Sequence, residues 1–423
     1  MTATLRSFVL LGWSALAVLV GGLVPLLRTG QVELRGWALA TLLVLPPAAA
    51  LLKARRGAGA ACWASLGAIA TVMSFAGLAT VRPPAFVGAL GFAGVALMAT
   101  AAGLLLCRRP LPANAGARLG IGLAIAALAL AAWREAKAPH IGPIAGARPP
   151  LAVITSLPLF WEEAVSGPAA RADAPIITVL RQRFEVRPVD GPLALAGTGA
   201  PRLLLAQPRA LSPVELVALD QWVRGGGQAL FLADPQLHWP MALPMGDRRR
   251  PPPVTLLAGL LGHWGVRLLP GDGERDERRH FLVDGRLLTL YGASSLRATG
   301  PDCHVFDQGA VARCKVGKGN ATIVADADLI DDRMWLADPA RPLDTGQWTA
   351  DTPQFAAQAL GADLPGRRSW LWSGPVLVSA VRWAALVGII WAMVGAMLFR
   401  AGHQRLFGAR ERPSDPVMTK KMR

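Results

Sequence analysis

The sequence has 423 residues, of which 52% are hydrophobic and 17% are charged. Soluble domains carry about 25% charged residues, so this balance excludes a protein that is soluble throughout. The net charge of +16 lies mainly in short loops between apolar runs and in the C-terminal tail. This placement is typical of membrane topology signals and not of a nucleic-acid-binding face. We therefore expect membrane lipids, and no nucleic acid, among the partners.

Six apolar runs predict about six membrane-spanning helices, because a helix needs about 20 apolar residues to cross a bilayer. The runs are Phe8–Leu27, Trp37–Leu52, Ala60–Val81, Pro84–Cys107, Leu119–Trp133 and Trp383–Phe399. The second and fifth runs are short for a span and would need flanking residues or a thinner bilayer. Pro46 and Pro47 predict a kink in the second.

The basic residues indicate how these helices are oriented. They cluster between the second and third runs, between the fourth and fifth, and after the sixth, and the positive-inside rule puts all three clusters in the cytoplasm. Both termini are then cytoplasmic, and the protein is a multi-pass protein of a bacterial inner membrane. Its predicted parts are a five-helix transmembrane region at 1–133, a periplasmic α/β domain at 134–374, a C-terminal transmembrane helix at 375–400 and a basic cytoplasmic tail at 401–423.

Short apolar runs alternate with helical patterns in the predicted α/β domain. The predicted strands are Leu151–Thr155, Glu185–Pro188, Arg202–Ala206, Gln228–Ala233, Val266–Leu269 and Asn320–Ala325, and the predicted helices are Ala174–Phe184, Pro213–Arg224 and Val254–Trp264. Such alternation predicts a mainly parallel sheet that is covered on both faces.

The helix at 213–224 has the clearest local signals. Ser212 suits its N-cap, Pro213 suits its first helical position, and Glu215 completes a capping box. The glycines at 225–227 end it.

Two hairpins are predicted in the second half of the domain. Phe281–Leu290 folds about the strong turn signal Asp284-Gly285. Cys303–Val316 folds about a predicted two-residue turn at Gln308-Gly309, which sets Cys303 directly opposite Cys314. In an oxidising compartment the pair would form a disulfide, and the alternative is two free thiols.

The carboxyl ends of the strands are where open α/β sheets place their sites. The candidate ligand-binding residues there, together with one histidine in the following loop, are Trp161, Glu162, Arg209, Asp234, His238, Asp326 and Asp328. Converging carboxylates can bind a metal or act as acid and base, whereas single aspartates more often cap turns and helices. We predict no catalytic residue, no bound metal and no cofactor.

Several enzyme signatures are missing from the sequence. It contains no G-x-S-x-G elbow, no H-E-x-x-H pattern and no cysteine at a strand-to-helix turn. Gly317-Lys318-Gly319 lacks the upstream glycine of a phosphate-binding loop and the Ser or Thr that follows its lysine. We therefore expect a non-enzymatic protein, and any ATPase coupled to it lies on another chain.

The α/β domain resembles the GldG-like auxiliary proteins of ABC transport systems. The resemblance covers roughly Leu151–Trp335 and is carried by Leu203–Pro208, Leu211–Pro213, Leu219–Pro235 and Gly317–Asp328. It implies a flavodoxin-like or amidotransferase-like sheet and a partnership with a separate ATPase and a permease. This chain lacks the nucleophilic cysteine of an active amidotransferase.

Three functions fit these observations. The first is a non-catalytic auxiliary or scaffold subunit of an ABC-type transport system, whose outer domain binds substrate or an envelope partner such as a glycan or a protein. The second is a membrane-anchored envelope hydrolase that uses the carboxylates at the strand ends, which requires them to lie within about 10 Å of one another. The third is a transmembrane sensor.

Overall fold

A computed structural model describes residues 3–80, 86–106, 140–161, 172–244, 246–271, 278–292, 294–364, 369–371 and 374–408. The chain forms two compact units. One is Met1–Lys137 with Arg368–Arg423, and the other is Ala138–Arg367.

The elements are numbered in chain order. The helices are α1 (Ala3–Thr29), α2 (Ala38–Arg56), α3 (Ala58–Ala79), α4 (Phe86–Leu106), α5 (Pro175–Leu180), α6 (Leu195–Thr198), α7 (Pro213–Arg224), α8 (Ala258–His263), α9 (Asp332–Trp335), α10 (Thr352–Ala359) and α11 (Gly374–Gly408). The strands are β1 (Pro150–Thr155), β2 (Glu185–Pro188), β3 (Arg202–Ala206), β4 (Gln228–Leu232), β5 (Val266–Leu269), β6 (Arg278–Val283), β7 (Arg286–Tyr291), β8 (Ser295–Ala298), β9 (Cys303–Phe306), β10 (Val311–Val316) and β11 (Gly319–Val324). Single 3-10 turns occupy Leu34–Trp37, Pro192–Ala194, Asp307–Gly309, Asp328–Ile330 and Thr345–Gln347.

Five helices in the described part of the chain are long and apolar enough to cross a membrane. They are Phe8–Thr29, Leu34–Arg56, Ala58–Ala79, Gly88–Leu105 and Gly374–Phe399. They coincide with five of the six predicted runs, and the remaining run, Leu119–Trp133, lies outside the described residues. The second span is longer than its predicted run, because a 3-10 turn precedes α2 and α2 is continuous through Pro46 and Pro47 to Arg56.

Helices α3 and α11 are joined by a pair of tryptophans. The Trp63 and Trp391 rings stack with centroids 4.6 Å apart. Each indole N–H donates to the backbone carbonyl of the other residue, at 3.0 Å from Trp63 and 2.9 Å from Trp391. Glycines make room for the rings, because a Cβ at Gly395 would lie 2.4 Å from Trp63 and one at Gly67 would lie 2.7 Å from Trp391. These hydrogen bonds satisfy both indoles within the helix packing.

A seven-stranded sheet forms the centre of the α/β domain. Its strand order is β2-β1-β3-β4-β11-β10-β9. The first five strands are parallel, and β10 and β9 continue the sheet in antiparallel fashion. The sheet is therefore mostly parallel, as the alternating pattern predicts. Helices α7 and α8 pack with the apolar core on one face, and α10 contacts β4 and α5.

Strand β5 has the predicted bounds but lies outside the main sheet. It pairs antiparallel with β8 in a separate two-stranded sheet, and β6 and β7 form another. Val266 is buried and Arg267 is exposed, so β5 buries one face only, whereas a central parallel strand is covered on both.

Two predicted helices are shorter than expected. Helix α5 ends at Leu180, and the chain turns before β2. Helix α8 begins at Ala258 and not at Val254, because the Thr255 backbone N–H donates to the Asp234 carbonyl at 2.6 Å. This long-range contact keeps residues 254–257 out of the helix.

The cysteine hairpin has the predicted register. Cys303 pairs directly with Cys314 across β9 and β10, and a disulfide joins them with an S–S distance of 2.00 Å. The predicted two-residue turn is wrong: the last strand pair is Phe306 with Val311, so a four-residue loop centred on Gln308-Gly309 connects the strands. A 3-10 turn at Asp307–Gly309 occupies this loop. Both cysteines lie in the apolar core.

Candidate functional site

Three aspartates converge beyond the carboxyl ends of two neighbouring strands. Asp234 follows β4, and Asp326 and Asp328 follow β11, which pairs with β4 in parallel register. One carboxylate oxygen from each lies within 4.8 Å of the other two. The residues are 1%, 3% and 1% exposed, respectively. We call these three residues the aspartate cluster.

Backbone N–H groups hold two of these carboxylates in place. Asp234 accepts from Gln236 at 2.7 Å and from Ala327 at 3.1 Å, each on a different oxygen. Asp326 accepts from Leu329 at 3.0 Å on Oδ1 and from the Tyr291 N–H on Oδ2. Both side chains therefore fasten the loops after β4 and β11, and Asp326 also fastens the end of β7.

Asp328 faces His238 on the loop that follows β4. Its Oδ2 accepts from the His238 backbone N–H at 2.8 Å and lies 3.8 Å from His238 Nδ1. The imidazole packs edge-on against the Tyr291 ring, with centroids 4.8 Å apart. His238 Nδ1 and Asp328 Oδ1 are both buried, and neither has a hydrogen-bond partner among the described residues. These two atoms are the unsatisfied part of the site.

Burial raises the pKa values of all three aspartates. It is the main cause at Asp326, whose pKa lies well above its usual value, and the charges of Asp234 and Asp328 raise it further. Burial followed by the charge of Asp234 raises the pKa of Asp328 to about 8, and burial also raises the pKa of Asp234. The cluster therefore retains protons at neutral pH, because three adjacent buried carboxylates would be costly to ionise together.

Gln207, directly after β3, links this site to the loop at 237–253. Its side-chain amide donates to the carbonyls of Asp234 at 3.1 Å and Pro252 at 2.9 Å, and its Oε1 accepts from the Asp234 N–H at 3.1 Å. The Leu237 N–H donates to the Pro253 carbonyl at 3.0 Å, which closes the loop. Gln207 is fully buried and has a φ of 40°. Sequence reasoning missed this residue, because a glutamine that follows a strand has no local signature of such a role.

The other predicted site residues lie in different surroundings. Arg209 forms an ion pair with Glu215 at 2.6 Å, within the capping box of α7. The guanidinium of Arg249 lies 5.9 Å from the centre of the Trp161 ring. Glu162 is outside the described residues. The structure therefore brings together Asp234, His238, Asp326 and Asp328 from the predicted set.

Glu215 is held ionised by its partners. The hydrogen bond from Arg209, followed by that from the Ser212 backbone, lowers its pKa to about 2. Its Oε2 accepts the Ser212 N–H at 2.8 Å, and Ser212 Oγ accepts the Glu215 N–H at 3.4 Å. Arg209 and Glu215 therefore stabilise the start of α7.

The aspartate cluster has two possible chemistries. Carboxylate oxygens are the ligands that Mg²⁺ and Ca²⁺ prefer, and the spacing of the three groups fits a hard cation. The same oxygens can instead share protons, as the raised pKa values favour. Both oxygens of Asp234 and of Asp326 already accept backbone N–H groups, so the arrangement favours a role in holding the loops.

The β1–β6 part of the domain matches a known family. Residues 148–279 match the family described as an ABC-type uncharacterized transport system. The match is consistent with a GldG-like auxiliary protein, and this family indicates an auxiliary component of an ABC-type transport system. The five candidate spans separately support membrane association of the chain.

No curated protein matches the sequence. Among solved structures, the chain is similar to an exo-β-1,4-mannosidase from Opitutaceae bacterium strain TAV5, with 13% identity, a TM-score of 0.32, and coverage of 63% of this chain and 49% of that one. It is also similar to a β-galactosidase from Bacillus circulans sp. alkalophilus, with 12% identity, a TM-score of 0.27, and coverage of 50% and 33%. The chain thus spans about half the length of the first enzyme and a third of the second.

Proposed function

We propose that this protein is a non-catalytic auxiliary subunit of an ABC-type transport system. The observation that carries the proposal is the family match at residues 148–279, in a chain that also has five candidate membrane spans. The spans anchor the subunit beside a separate permease and ATPase, and the α/β domain binds substrate or an envelope partner.

In the proposed topology the α/β domain lies in the periplasm and both termini lie in the cytoplasm. The disulfide between Cys303 and Cys314 supports this placement, because disulfides persist in oxidising compartments and are rare in the cytosol. The basic loops support it independently through the positive-inside rule.

The non-catalytic part of the proposal rests on how the aspartate cluster is used. Its members are almost fully buried, and their oxygens hold the backbone of the loops at 234–238 and 326–329. A general acid or base must come within hydrogen-bond reach of a substrate atom. Groups buried in this way are suited to holding a loop and not to meeting a polymeric substrate.

Affinity purification of the tagged full-length protein in a mild detergent tests the proposal, with mass spectrometry of the chains that co-purify. We expect an ATPase and a polytopic permease in a constant ratio to the tagged chain. A tagged multi-pass protein of unrelated function, purified in parallel, controls for general adhesion. Recovery of the chain without either partner would contradict the auxiliary role.

An envelope hydrolase is the second candidate. It is favoured by the convergence of Asp234, Asp326 and Asp328 within 4.8 Å, which meets the distance requirement for acid–base work. The variant Asp234→Asn separates the two candidates. A hydrolase loses its cellular function with this change even when the variant folds and keeps its partners, whereas an auxiliary subunit that folds and keeps its partners retains function.

A further inference from the structure

A cavity of about 540 Å³ lies in the α/β domain, away from the aspartate cluster. Cavities of about 300–1,000 Å³ are typical of small-molecule sites. Its floor is the polar face of the sheet where β4, β11, β10 and β9 run side by side, and α10 forms part of its wall. The floor residues are Gln228, His304, Arg313, Lys315, Asn320 and Thr322.

Strand pairing sets these polar side chains on one face. Asn320 pairs with Gln228 on one side and with Lys315 on the other. Arg313 pairs with both Thr322 and His304. Because side chains alternate across a strand, the residues between them point to the opposite face. Those residues, Ala229, Ala321, Cys303 and Cys314, all belong to the apolar core. At these positions the sheet thus has one apolar face and one polar face.

The polar floor differs in composition from the neighbouring parallel strands. The neighbouring parallel strands β1 and β3 are buried almost throughout, with patterns dominated by Leu, Ile and Val. In contrast, β11 places an exposed Asn320 and the barely exposed Thr322 on its second face, and β10 places an exposed Lys315 there. A sheet face that is covered by other elements usually carries apolar residues at such positions.

The charges around the cavity are balanced. Arg313 is paired with Asp284 on the wall and lies over the Phe306 ring at 5.0 Å. Lys315 and Asp302 add one further charge of each sign to the lining. This balance contrasts with the net charge of +16 of the whole chain. A site for a phosphate or a polyanion would instead collect cations, because anions are bound by clustered Arg and Lys.

Amides and a hydroxyl supply most of the remaining polar groups. Gln228, Asn320 and Gln358 each offer a carbonyl acceptor and an NH₂ donor, and Thr322 offers a hydroxyl that does both. The Gln228 amide is oriented by donating to the Ala359 carbonyl at 2.8 Å. Groups that both donate and accept match ligand hydroxyls, which also do both. Pro301, which is exposed at the rim, offers apolar surface for the C–H face of a ring.

We infer that this cavity binds an uncharged polyhydroxylated ligand, namely a short segment of a neutral glycan. The charge balance disfavours an anion, the amide-rich floor matches hydroxyl groups, and the volume fits a small ligand. The inference rests on the cavity alone and holds whether or not the protein serves a transporter.

Ligand binding to the full-length protein in lipid nanodiscs tests the inference. The detergent used for purification must carry no sugar headgroup, since an alkyl glycoside would compete. The probes are three neutral trisaccharides, those of N-acetylglucosamine, cellulose and starch, observed by saturation-transfer NMR and titrated by calorimetry. We expect at least one to bind, and expect binding to be insensitive to high salt, since uncharged contacts are not screened.

Substitutions of residues on the cavity floor test whether the ligand binds in this cavity. Thr322→Val removes one hydroxyl with little change of shape, and Asn320→Ala removes an exposed amide. Each should weaken binding by about threefold to tenfold, the range expected from losing one hydrogen bond. Lys318→Ala is the matched control, because Lys318 is exposed in the β10–β11 turn and does not line the cavity.

Three results would overturn the inference. They are binding of none of the trisaccharides at millimolar concentration, equal affinity of the floor variants and the native protein, and preferential salt-sensitive binding of inorganic phosphate. Unchanged melting temperatures of the variants establish that any lost affinity is local. Should Thr322→Val fail to fold, Asn320→Ala decides alone, because its side chain is exposed.

Discussion

The side chains that follow β4 and β11 bring three buried carboxyl groups together. Three carboxyl groups sit within 4.8 Å of one another while almost fully buried, which is stable only when protons or a cation offset their repulsion. Each also accepts at least one backbone N–H, so the cluster is a structural junction between three loops. Its protonation should therefore be visible in stability.

Asp328→Asn should change how stability depends on pH. The pKa of Asp328 in the folded protein is about 8, above its value of about 3.9 in an unfolded chain. Between these values the folded state holds more protons at Asp328, so the contribution of this group to stability is fully present below about pH 4 and is lost as pH rises through 8. An amide resembles the protonated acid and does not titrate, so the variant should lose less stability over this interval, by about a few kcal/mol.

Hydrogen exchange of the β4 and β11 amides between pH 5 and 8, corrected for intrinsic rates, measures this difference. Asp363→Asn, a change at an exposed carboxylate, is the control and should follow the native profile. A variant Asp328→Asn that parallels the native protein over the whole range would show that Asp328 is ionised throughout.

Gln207→Leu should release the loop at 237–253. The change leaves the Asp234 N–H and the Pro252 carbonyl without their partner, whereas the Asp234 carbonyl still accepts from the Thr255 N–H. Each unsatisfied buried group costs about 1–3 kcal/mol. Trypsin should then cut faster after Arg248 or Arg249, whereas the bond after Arg250 precedes Pro251 and resists trypsin. Cleavage rates followed by mass spectrometry measure the effect.

Gln182→Leu is the matched control for that experiment. The Gln182 amide makes one hydrogen bond, to the Thr178 carbonyl at 3.2 Å, within a local turn. It should leave the cleavage rate at 248–249 unchanged. Equal cleavage rates of this loop in the two variants would contradict the role of Gln207 in holding the loop.

Elements differ in how well their own sequence determines them. Helix α7 has its predicted bounds because Ser212, Pro213 and Glu215 act within a few residues of one another. The cysteine hairpin has its predicted register because its turn is local. The start of α8 and the partner of β5 were not predictable, since each depends on a segment distant in the chain, namely Asp234 and β8.

The packing of α3 on α11 gives a test at the scale of helices. Gly395→Val should weaken it, because a Cβ there would lie 2.4 Å from the Trp63 indole and overpacking typically costs about 1–3 kcal/mol. Gly91→Val in α4 is the control, as a Cβ at that glycine meets nothing within 4 Å. Melting of the full-length protein in nanodiscs should fall by several degrees in the first variant only.

The whole molecule combines a set of apolar helices with an α/β domain of mostly parallel strands. The apolar runs predict the helices, because residues that face lipid must be apolar. The alternation of strands and helices predicts the α/β domain, because its periodicity shows which side chains face the core and which face water. The same topology predicts that Asp234, Asp326 and Asp328 meet at one edge of the sheet. The path of the loop at 237–253 was not predictable, since Gln207 and Pro253 hold it through hydrogen bonds that no local pattern specifies.

Cysteine labelling tests the compartment of the α/β domain. Protein taken from cells under non-reducing, denaturing conditions should leave Cys303 and Cys314 unlabelled by a maleimide until a reductant is added. Cys62, a free and exposed cysteine, should be labelled in both conditions and serves as the internal control. Labelling of Cys303 and Cys314 without reductant would contradict a periplasmic domain.

The tryptophan pair has a consequence for the timing of biosynthesis. Trp63 and Trp391 are separated by 328 residues, so the ribosome makes the entire α/β domain after one ring and before the other. At about 5–20 residues per second this interval is on the order of tens of seconds. During this interval the last helix is absent, so the Trp63 indole N–H lacks its acceptor on Trp391 and the ring lacks its packing partner. A nascent chain arrested before Trp391 would therefore be a natural client for an insertase or a membrane protease.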